Sequence, residues 1–204
     1  MGDLDQRRPI GIYEYLDYED LSAVFRPYDP RSPAVASDVA ALIEGRMPDA
    51  RLEHVGSSAI PGCAGKGIID LLLLYRPGRL SAARDAVDGL GFQRQAGADP
   101  FPEERPLRVG SYDYDGTSYK LHVHIVAEND PEARELIYFR DRVASDPALI
   151  DEYVESKRQS LAAIRGGTVD IAHNIAYNDG KGPFIRRILA EMEQDPATGE
   201  PQAR

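Results

Sequence analysis

One dipeptide, Asp115-Gly116, constrains the fold of this chain more than any other feature of the sequence. It separates two stretches rich in β-branched and aromatic residues, Leu107–Tyr114 and Thr117–Val126. An Asp-Gly pair between such stretches favours a two-residue hairpin turn, because both turn residues must adopt positive φ. The turn also sets the register of the strands. It therefore predicts three facing pairs: Tyr114 with Thr117, Tyr112 with Tyr119, and Val109 with His122.

Two histidines, His122 and His124, lie two positions apart on the second strand of this hairpin. Side chains at this spacing project from the same face of a strand, so the alternating apolar residues Leu121, Val123 and Ile125 face the core on the other side. An earlier apolar strand, predicted over Gly67–Tyr75, carries one carboxylate, Asp70. We expect both imidazoles to line the groove that contains Asp70.

The chemistry of Asp70, His122 and His124 leaves two interpretations open. Carboxylate oxygen suits Mg²⁺, whereas imidazole nitrogen favours Zn²⁺, Mn²⁺ or Fe²⁺. The three side chains together are therefore suited to holding a divalent metal in a catalytic site. In the alternative interpretation, both histidines hydrogen-bond loop backbone or neighbouring carboxylates, and Asp70 is a buried structural carboxylate.

The remaining elements are predicted by turn, capping and spacing signals. They are a helix from Ser32 to Gly45, a strand at Leu52–Val55, a helix over Ser81–Leu90, a loop over residues 95–106, helices of about fourteen and eighteen residues that open at Asp130-Pro131 and Asp146-Pro147, a helical piece near Thr168–Tyr177, a turn at residues 178–180, and a last helix over Pro183–Glu193. This order predicts an α+β (α/β) fold with a small mixed β-sheet packed with helices and a helical C-terminal part. We expect an N-terminal arm over residues 1–27, one domain over 28–193 and a flexible tail over 194–204.

Composition restricts the partners. The formal net charge of -10 disfavours general nucleic-acid binding, because it repels a phosphate backbone. No apolar run approaches the roughly 20 residues needed to cross a bilayer, so no membrane association is expected. The single cysteine, Cys63, excludes an intramolecular disulfide, favours a cytoplasmic location and is interpreted as passive. A small anionic ligand held by local donors is compatible with this charge, and a dimer formed through the aromatic arm stays open.

The segment before the Asp70 strand has the composition of an anion-binding loop. Gly56 lets the backbone approach a phosphate closely, and the loop N–H groups and the hydroxyls of Ser57 and Ser58 can donate to its oxygens. An ordinary turn is the alternative. Lys66 either pairs with Asp70 or reaches a phosphate.

Two further residues are candidates on weaker grounds. Lys181 lies between glycines at a predicted helix start, where it either joins the helix N-terminus as an anion clamp or is solvated. His54, next to the loop, is either a general base, an orienting group or a hydrogen-bonded strand-end residue.

Taken together, the His54–Ser58 loop and the Lys66–Leu72 strand entry resemble the hallmark of the GrpB-like family. The resemblance continues in four later segments: 121–123, 138–141, 152–157 and 177–185. It implies a nucleotidyltransferase-type fold, in which a Gly-Ser loop approaches nucleotide phosphates and strand carboxylates hold Mg²⁺ or Mn²⁺. Two such metals would assist in-line phosphoryl transfer.

The sequence departs from a full nucleotidyltransferase motif at Leu72, where a second carboxylate is expected on the same strand face. Two functions follow. The first is nucleotide binding with metal-assisted nucleotidyl transfer from a nucleoside triphosphate to a small acceptor. The second is a non-catalytic ligand-binding or regulatory module with a degenerate metal site. Related domains joined to dephospho-coenzyme A kinase add a coenzyme A precursor to the ligands that the resemblance implies.

Overall fold

The computed structural model describes residues 9–13, 25–96, 100–163 and 171–194, of which residues 163, 171–179 and 194 are described by their backbone alone. The expected tail beyond residue 194 and most of the expected N-terminal arm lie outside the described residues. The elements in chain order are α1 (Ser32–Glu44), β1 (Arg51–Val55), β2 (Ile69–Tyr75), α2 (Leu80–Asp88), β3 (Gln93–Arg94), β4 (Leu107–Tyr114), β5 (Thr117–Ala127), α3 (Pro131–Ala144), α4 (Pro147–Ala163) and α5 (Ile171–Gln194).

The β-sheet has five strands in the order β1-β2-β5-β4-β3. Its central pair, β2 and β5, is parallel, and the other neighbouring strands are antiparallel. A parallel pair needs a crossover connection, which here contains α2, β3 and β4. The prediction of a small mixed sheet packed with helices is confirmed.

The hairpin of β4 and β5 has the predicted register, and all three expected facing pairs are present. Asp115 and Gly116 both have positive φ, 47° and 71°, as a tight hairpin turn requires. Because β5 runs parallel to β2, His122 lies directly beside Asp70, and His124 lies beside Leu72. The strand register therefore brings together residues that are far apart in the sequence.

One face of the sheet carries the main hydrophobic core. Alternate residues of β2 and β5 supply this core and are at most 1% exposed: Ile69, Leu71, Leu73, Leu121, Val123 and Ile125. Helix α1 packs against them with Val35, Val39 and Ile43, and α2 packs with Ala83 and Val87. Each buried Leu or Ile stabilises the fold by roughly 1.5–3 kcal/mol. These contacts fix β2 and β5 side by side.

The opposite face of β2 and β5 is divided into two parts. The part that we call the leucine end is buried beneath α3 and consists of Leu72, Leu74 and Val126. The part that we call the polar end consists of Asp70, His122 and His124. None of the polar-end residues is fully buried.

The C-terminal helices differ from the sequence prediction in one respect. Helix α3 has the predicted 14 residues, and the Asp130 side chain accepts a hydrogen bond from the Glu132 N–H at its start. Helix α4 has 17 residues. The predicted turn at residues 178–180 is wrong, because α5 continues for 24 residues with Pro183 inside it.

Tertiary packing explains the continuity of α5. A proline inside a helix removes a hydrogen bond and costs about 3 kcal/mol relative to alanine. Against this cost, Phe184 and Ile188 are buried in a cluster with residues of α3 and α4. Gly180 lies so close to α4 that a β-carbon there would be 2.8 Å from Ser160 Cβ. The local helix-breaking signal is therefore outweighed by burial.

Three aromatic rings join the C-terminal helices to each other. The ring centroids of Phe139 and Tyr153 lie 5.2 Å apart, and Phe184 stacks on Tyr153 at 5.2 Å. Ile60 and Cys63, from the loop between β1 and β2, are buried in the same cluster. The helical part of the domain therefore anchors this loop. Within the described part of the chain, no helix combines the length and apolar character that crossing a membrane requires.

Candidate functional site

Asp70 and the two histidines of β5 form the cluster expected from the sequence. His122 Nδ1 lies 3.4 Å from Asp70 Oδ1, and His124 Nε2 lies 3.9 Å from the same oxygen. One potential ligand atom of each residue lies within 4.8 Å of the others. The Asp70 side chain is 23% exposed. A small ligand can therefore reach the carboxylate.

The Asp70 carboxylate is held in its charged form. Burial by itself would raise the pKa of Asp70, but the neighbouring imidazoles of His122 and His124 outweigh it and hold the pKa below the ordinary value. The carboxylate is therefore ionised at neutral pH. An ionised carboxylate is the form that binds a cation.

Arg105 determines which nitrogen of His124 carries the proton. One guanidinium nitrogen of Arg105 lies 3.2 Å from His124 Nδ1. A guanidinium group only donates hydrogen bonds, so Nδ1 must accept and the neutral ring carries its proton on Nε2. Glu132 holds Arg105 in place, with its Oε2 accepting from Arg105 Nε at 2.7 Å. His124 therefore turns an N–H group, and no lone pair, towards Asp70.

His122 has a different partner and more freedom. Its Nε2 lies 3.2 Å from the Tyr13 hydroxyl, and the two ring centroids are 5.6 Å apart. A hydroxyl both donates and accepts, so either neutral form of His122 is satisfied by Tyr13. When Nε2 donates to Tyr13, the lone pair of Nδ1 points to the Asp70 side. His122 is therefore the better suited of the two histidines to bind a metal ion.

Gly56 brings the loop backbone against Asp70. Its φ of 69° and ψ of -172° lie in a region that side chains rarely adopt. A β-carbon at this position would collide with Asp70 Oδ2 and lie 3.0 Å from Cγ. The glycine is therefore required by both backbone angle and space. The bend and the carboxylate meet at one place, as expected.

The two serines of the loop have different surroundings. Ser57 begins a short 3-10 turn, Ser57–Ala59, and a β-carbon at Gly65 would lie 2.6 Å from its Oγ. Ser58 is buried, and its Oγ lies 3.0 Å from His54 Nε2. The structure thus pairs Ser58 of the loop with His54 at the end of β1. Ser57 is only partly buried.

His54, near the end of β1, is the uncharged hydrogen-bond partner of Ser58. Burial lowers its pKa to about 4; the charge of Asp70 opposes this change, and that of Arg140 adds to it. The ring is therefore uncharged at neutral pH. Its hydrogen bond to Ser58 supports the interpretation of a satisfied strand-end residue.

Two lysines share the electrostatic surroundings of Asp70. Burial and the charge of Lys181 lower the pKa of Lys66 to about 8, against the opposing effect of Asp70. Burial also lowers the pKa of Lys181, which Asp70 raises and Lys157 lowers further. Lys181 lies near the middle of α5, away from both helix ends. Its predicted position at a helix N-terminus is therefore wrong, because α5 is continuous, but the side chain still interacts electrostatically with Asp70.

Comparisons with known proteins identify the family of this chain. The family model described as "GrpB protein" matches residues 23–191. The chain belongs to the GrpB family. A UPF0157 protein of Vibrio cholerae is 29% identical over 154 residues, which cover 76% of this chain and 71% of that protein. A UPF0157 protein of Pseudomonas aeruginosa is 32% identical over 170 residues, which cover 78% of this chain and 64% of that protein.

A solved structure of the GrpB family has the same fold. The crystal structure of the conserved protein GrpB from Enterococcus faecalis superposes with a TM-score of 0.60 at 18% identity. The superposition covers 82% of this chain and 98% of that chain. The family resemblance seen in the loop and strand motifs is confirmed.

The position two residues after Asp70, where a two-metal site needs a second carboxylate, is occupied by Leu72 in this GrpB-family chain. Leu72 is fully buried beneath α3. Glu53 lies across from Leu72 on β1, but its Oε2 accepts from Arg140 at 2.8 Å. Glu53 is therefore already paired with Arg140. Among the described residues, Asp70, His122 and His124 are left as the side chains whose spacing could hold a cation.

Sequence reasoning missed Tyr13, Arg105 and Glu132 as members of the site. Tyr13 reaches it because Gly11 forms an isolated antiparallel bridge with Ser111 of β4. Arg105 lies in the loop before β4, and Glu132 in the first turn of α3. For Glu132 the sequence carries one signal, because Asp130-Pro131 predicts a helix start that places Glu132 in the first turn. No local pattern indicates that its carboxylate meets Arg105.

Proposed function

We propose that this GrpB-family chain binds a nucleotide, or a related phosphate-bearing molecule such as a coenzyme A precursor, at the polar end. The activity proposed for it is metal-assisted transfer of a nucleotidyl group to a small acceptor. The observation that supports this most is the contact of the Gly56 bend with the Asp70 carboxylate. A backbone suited to phosphate and a carboxylate suited to a cation occupy the same place.

The donor set fits one divalent cation. Asp70 offers an ionised oxygen and His122 offers a nitrogen, a combination that Mn²⁺ or Zn²⁺ accepts more readily than Mg²⁺. Asp70 and His122 would hold the cation, and His124 would contribute if Arg105 moved away. When bound, a divalent cation neutralises phosphate charge and polarises the phosphoryl group.

The protein's own groups supply the remaining interactions with an anion. The Gly56-Ser57 bend would bind phosphate through backbone N–H groups, as phosphate-binding loops do. Lys66, with a pKa of about 8, is mostly charged at neutral pH. Lys181 is a second amine that interacts electrostatically with Asp70, although burial lowers its pKa. The Nε2 proton of His124 is a further donor next to the carboxylate.

A second candidate function is a non-catalytic ligand-binding or regulatory module. The observation that favours it is the burial of Leu72 together with the pairing of Glu53 with Arg140. A two-metal mechanism needs carboxylates at such positions. A module of this kind keeps the anion site and releases its ligand unchanged.

Calorimetric titration tests the proposal directly. ATP, GTP, CTP and dephospho-coenzyme A are titrated into the protein with Mn²⁺, with Mg²⁺ and with a chelator, using wild type and Asp70→Ala. Asp113→Ala is the matched control, because Asp113 is an exposed carboxylate on β4 outside the site. We expect cation-dependent binding that is lost in Asp70→Ala and kept in Asp113→Ala.

The outcomes separate the two functions. Pyrophosphate release in the presence of a nucleoside triphosphate and a mixture of small acceptors supports transfer. Binding without pyrophosphate release favours the regulatory module. No binding of any phosphate-bearing ligand, with or without a cation, would overturn both.

A further inference from the structure

A second pair of reactive side chains lies outside the polar end. Lys157 of α4 is 1% exposed, and its Nζ donates to Cys63 Sγ at 3.1 Å and to the Ala64 carbonyl oxygen. Cys63 is 2% exposed. The Lys157 Nζ also lies 4.2 Å from the centre of the Tyr153 ring. A thiol and an amine are thus held in contact within an apolar cluster.

Burial disfavours the charged form of both groups. It raises the pKa of the Cys63 thiol, against the opposing effect of Lys157. It lowers the pKa of Lys157, against the opposing effect of Cys63. A neutral amine has a free electron pair, which makes it a nucleophile. Oxidation of a thiol to a sulfenic acid makes its sulfur electrophilic, and a sulfenic acid condenses with a nearby nitrogen to give a sulfenamide.

We propose that Cys63 and Lys157 are a site of oxidative cross-linking, at which hydrogen peroxide joins Sγ to Nζ as a sulfenamide. Peroxide first transfers one oxygen atom to Sγ, giving a sulfenic acid and water. The Nζ electron pair then attacks Sγ, the S–O bond breaks, and the leaving hydroxide takes a proton from Nζ. One thiol, one amine and one peroxide give one S–N bond and two waters; sulfur loses two electrons and peroxide gains them.

Cys63 and Lys157 lie beside the loop that carries Ser57, so the cross-link would act on that loop. Cys63 and Lys157 are 94 positions apart in the sequence. A β-carbon at Gly65 would lie 3.5 Å from Lys157 Nζ and 2.6 Å from Ser57 Oγ. A covalent bond at this place therefore fastens the loop of Ser57 to α4. The inference stands independently of any ligand at the polar end.

Mass spectrometry of the peroxide-treated chain tests the proposal. The purified full-length protein is treated with increasing hydrogen peroxide, quenched with catalase, alkylated and measured intact and as peptides. We expect the intact mass to fall by two hydrogens, the alkylatable thiol to be lost, and one cross-linked peptide pair to contain Cys63 and Lys157. A thiol reductant should restore the original mass.

Other products would overturn the proposal. Cys63 is the only cysteine in the sequence, so every S–N bond must include it. A bond to Lys66, Lys120 or Lys181, or a sulfinic acid with Lys157 unmodified, contradicts the inference. Lys157→Met retains the thiol and removes the amine, and it should give sulfinic acid without a cross-link. If this buried variant does not fold, the wild-type peptide map still decides.

Discussion

The leucine end and the polar end lie on the same face of the sheet but differ in burial and polarity. At the leucine end, α3 covers the strands, and the position expected for a second carboxylate is occupied by the fully buried Leu72. At the polar end, Asp70 remains reachable and is surrounded by imidazoles. The same pair of strands thus supports a packed core and an ionic site within two residues. Coverage by α3 decides which chemistry each position permits.

The largest effect is expected from placing a carboxylate at the leucine end. Leu72→Asp would bury an unpaired charge and remove a leucine from the core, and we expect it to lower the free energy of unfolding by about 5 kcal/mol. Urea denaturation measures the change. Leu72→Met is the volume-conserving control and should cost less than about 1.5 kcal/mol. A stable Leu72→Asp protein with tighter Mn²⁺ binding would break the distinction between the two ends.

The second prediction concerns acid and the loop that contacts the polar end. His54 has a pKa of about 4 in the folded protein, against an ordinary value of 6.5. The unfolded chain therefore binds more protons between these values, so stability falls as the pH is lowered through this range. This difference in the pKa of His54 corresponds to a loss of about 3 kcal/mol in the free energy of unfolding below pH 4.

Urea unfolding at a series of pH values checks this slope. In His54→Gln the side chain can still hydrogen-bond Ser58 but does not titrate, so the loss between pH 6.5 and pH 4 should be much smaller. Equal slopes in the two proteins would show that His54 is not the group responsible.

The third prediction isolates the contact between Gly56 and Asp70. Gly56→Ala strains the backbone and displaces the carboxylate, and we expect it to cost about 2 kcal/mol of stability and to abolish cation-dependent ligand binding. Gly62→Ala is the matched control, because Gly62 also has positive φ, 81°, but has nothing within 4 Å of its β-position. It should lose stability and keep binding. Equal loss of binding in both variants would argue for a general effect of loop strain.

The smallest effect separates the two histidines. His122→Ala should weaken Mn²⁺ binding about tenfold, or about 1.4 kcal/mol, because it removes a ligand nitrogen. His124→Ala should weaken it much less, because Arg105 makes His124 a donor. Mn²⁺ titration followed by electron paramagnetic resonance measures both. The reverse order would show that Arg105 leaves His124 when the cation binds.

Much of the fold and the centre of the site could be predicted from local signals. Asp115-Gly116 sets the register of the hairpin, and alternation along β5 places both imidazoles on the face of Asp70. The continuity of α5 could not be predicted, because Pro183 and Gly180 signal a break locally and the burial that opposes them depends on α3 and α4. The positions of Tyr13 and Arg105 were equally hidden, since neither lies in an element with a periodic pattern.

The parallel pairing of β2 with β5 determines at which stage of folding the polar end is assembled. Asp70 and His122 become neighbours only after the whole intervening crossover and hairpin have been made and docked. Non-local pairings of this kind form slowly, because loop closure costs entropy before any contact repays it. In a nascent chain on the ribosome, Asp70 therefore has no imidazole beside it until β5 has emerged and paired with β2.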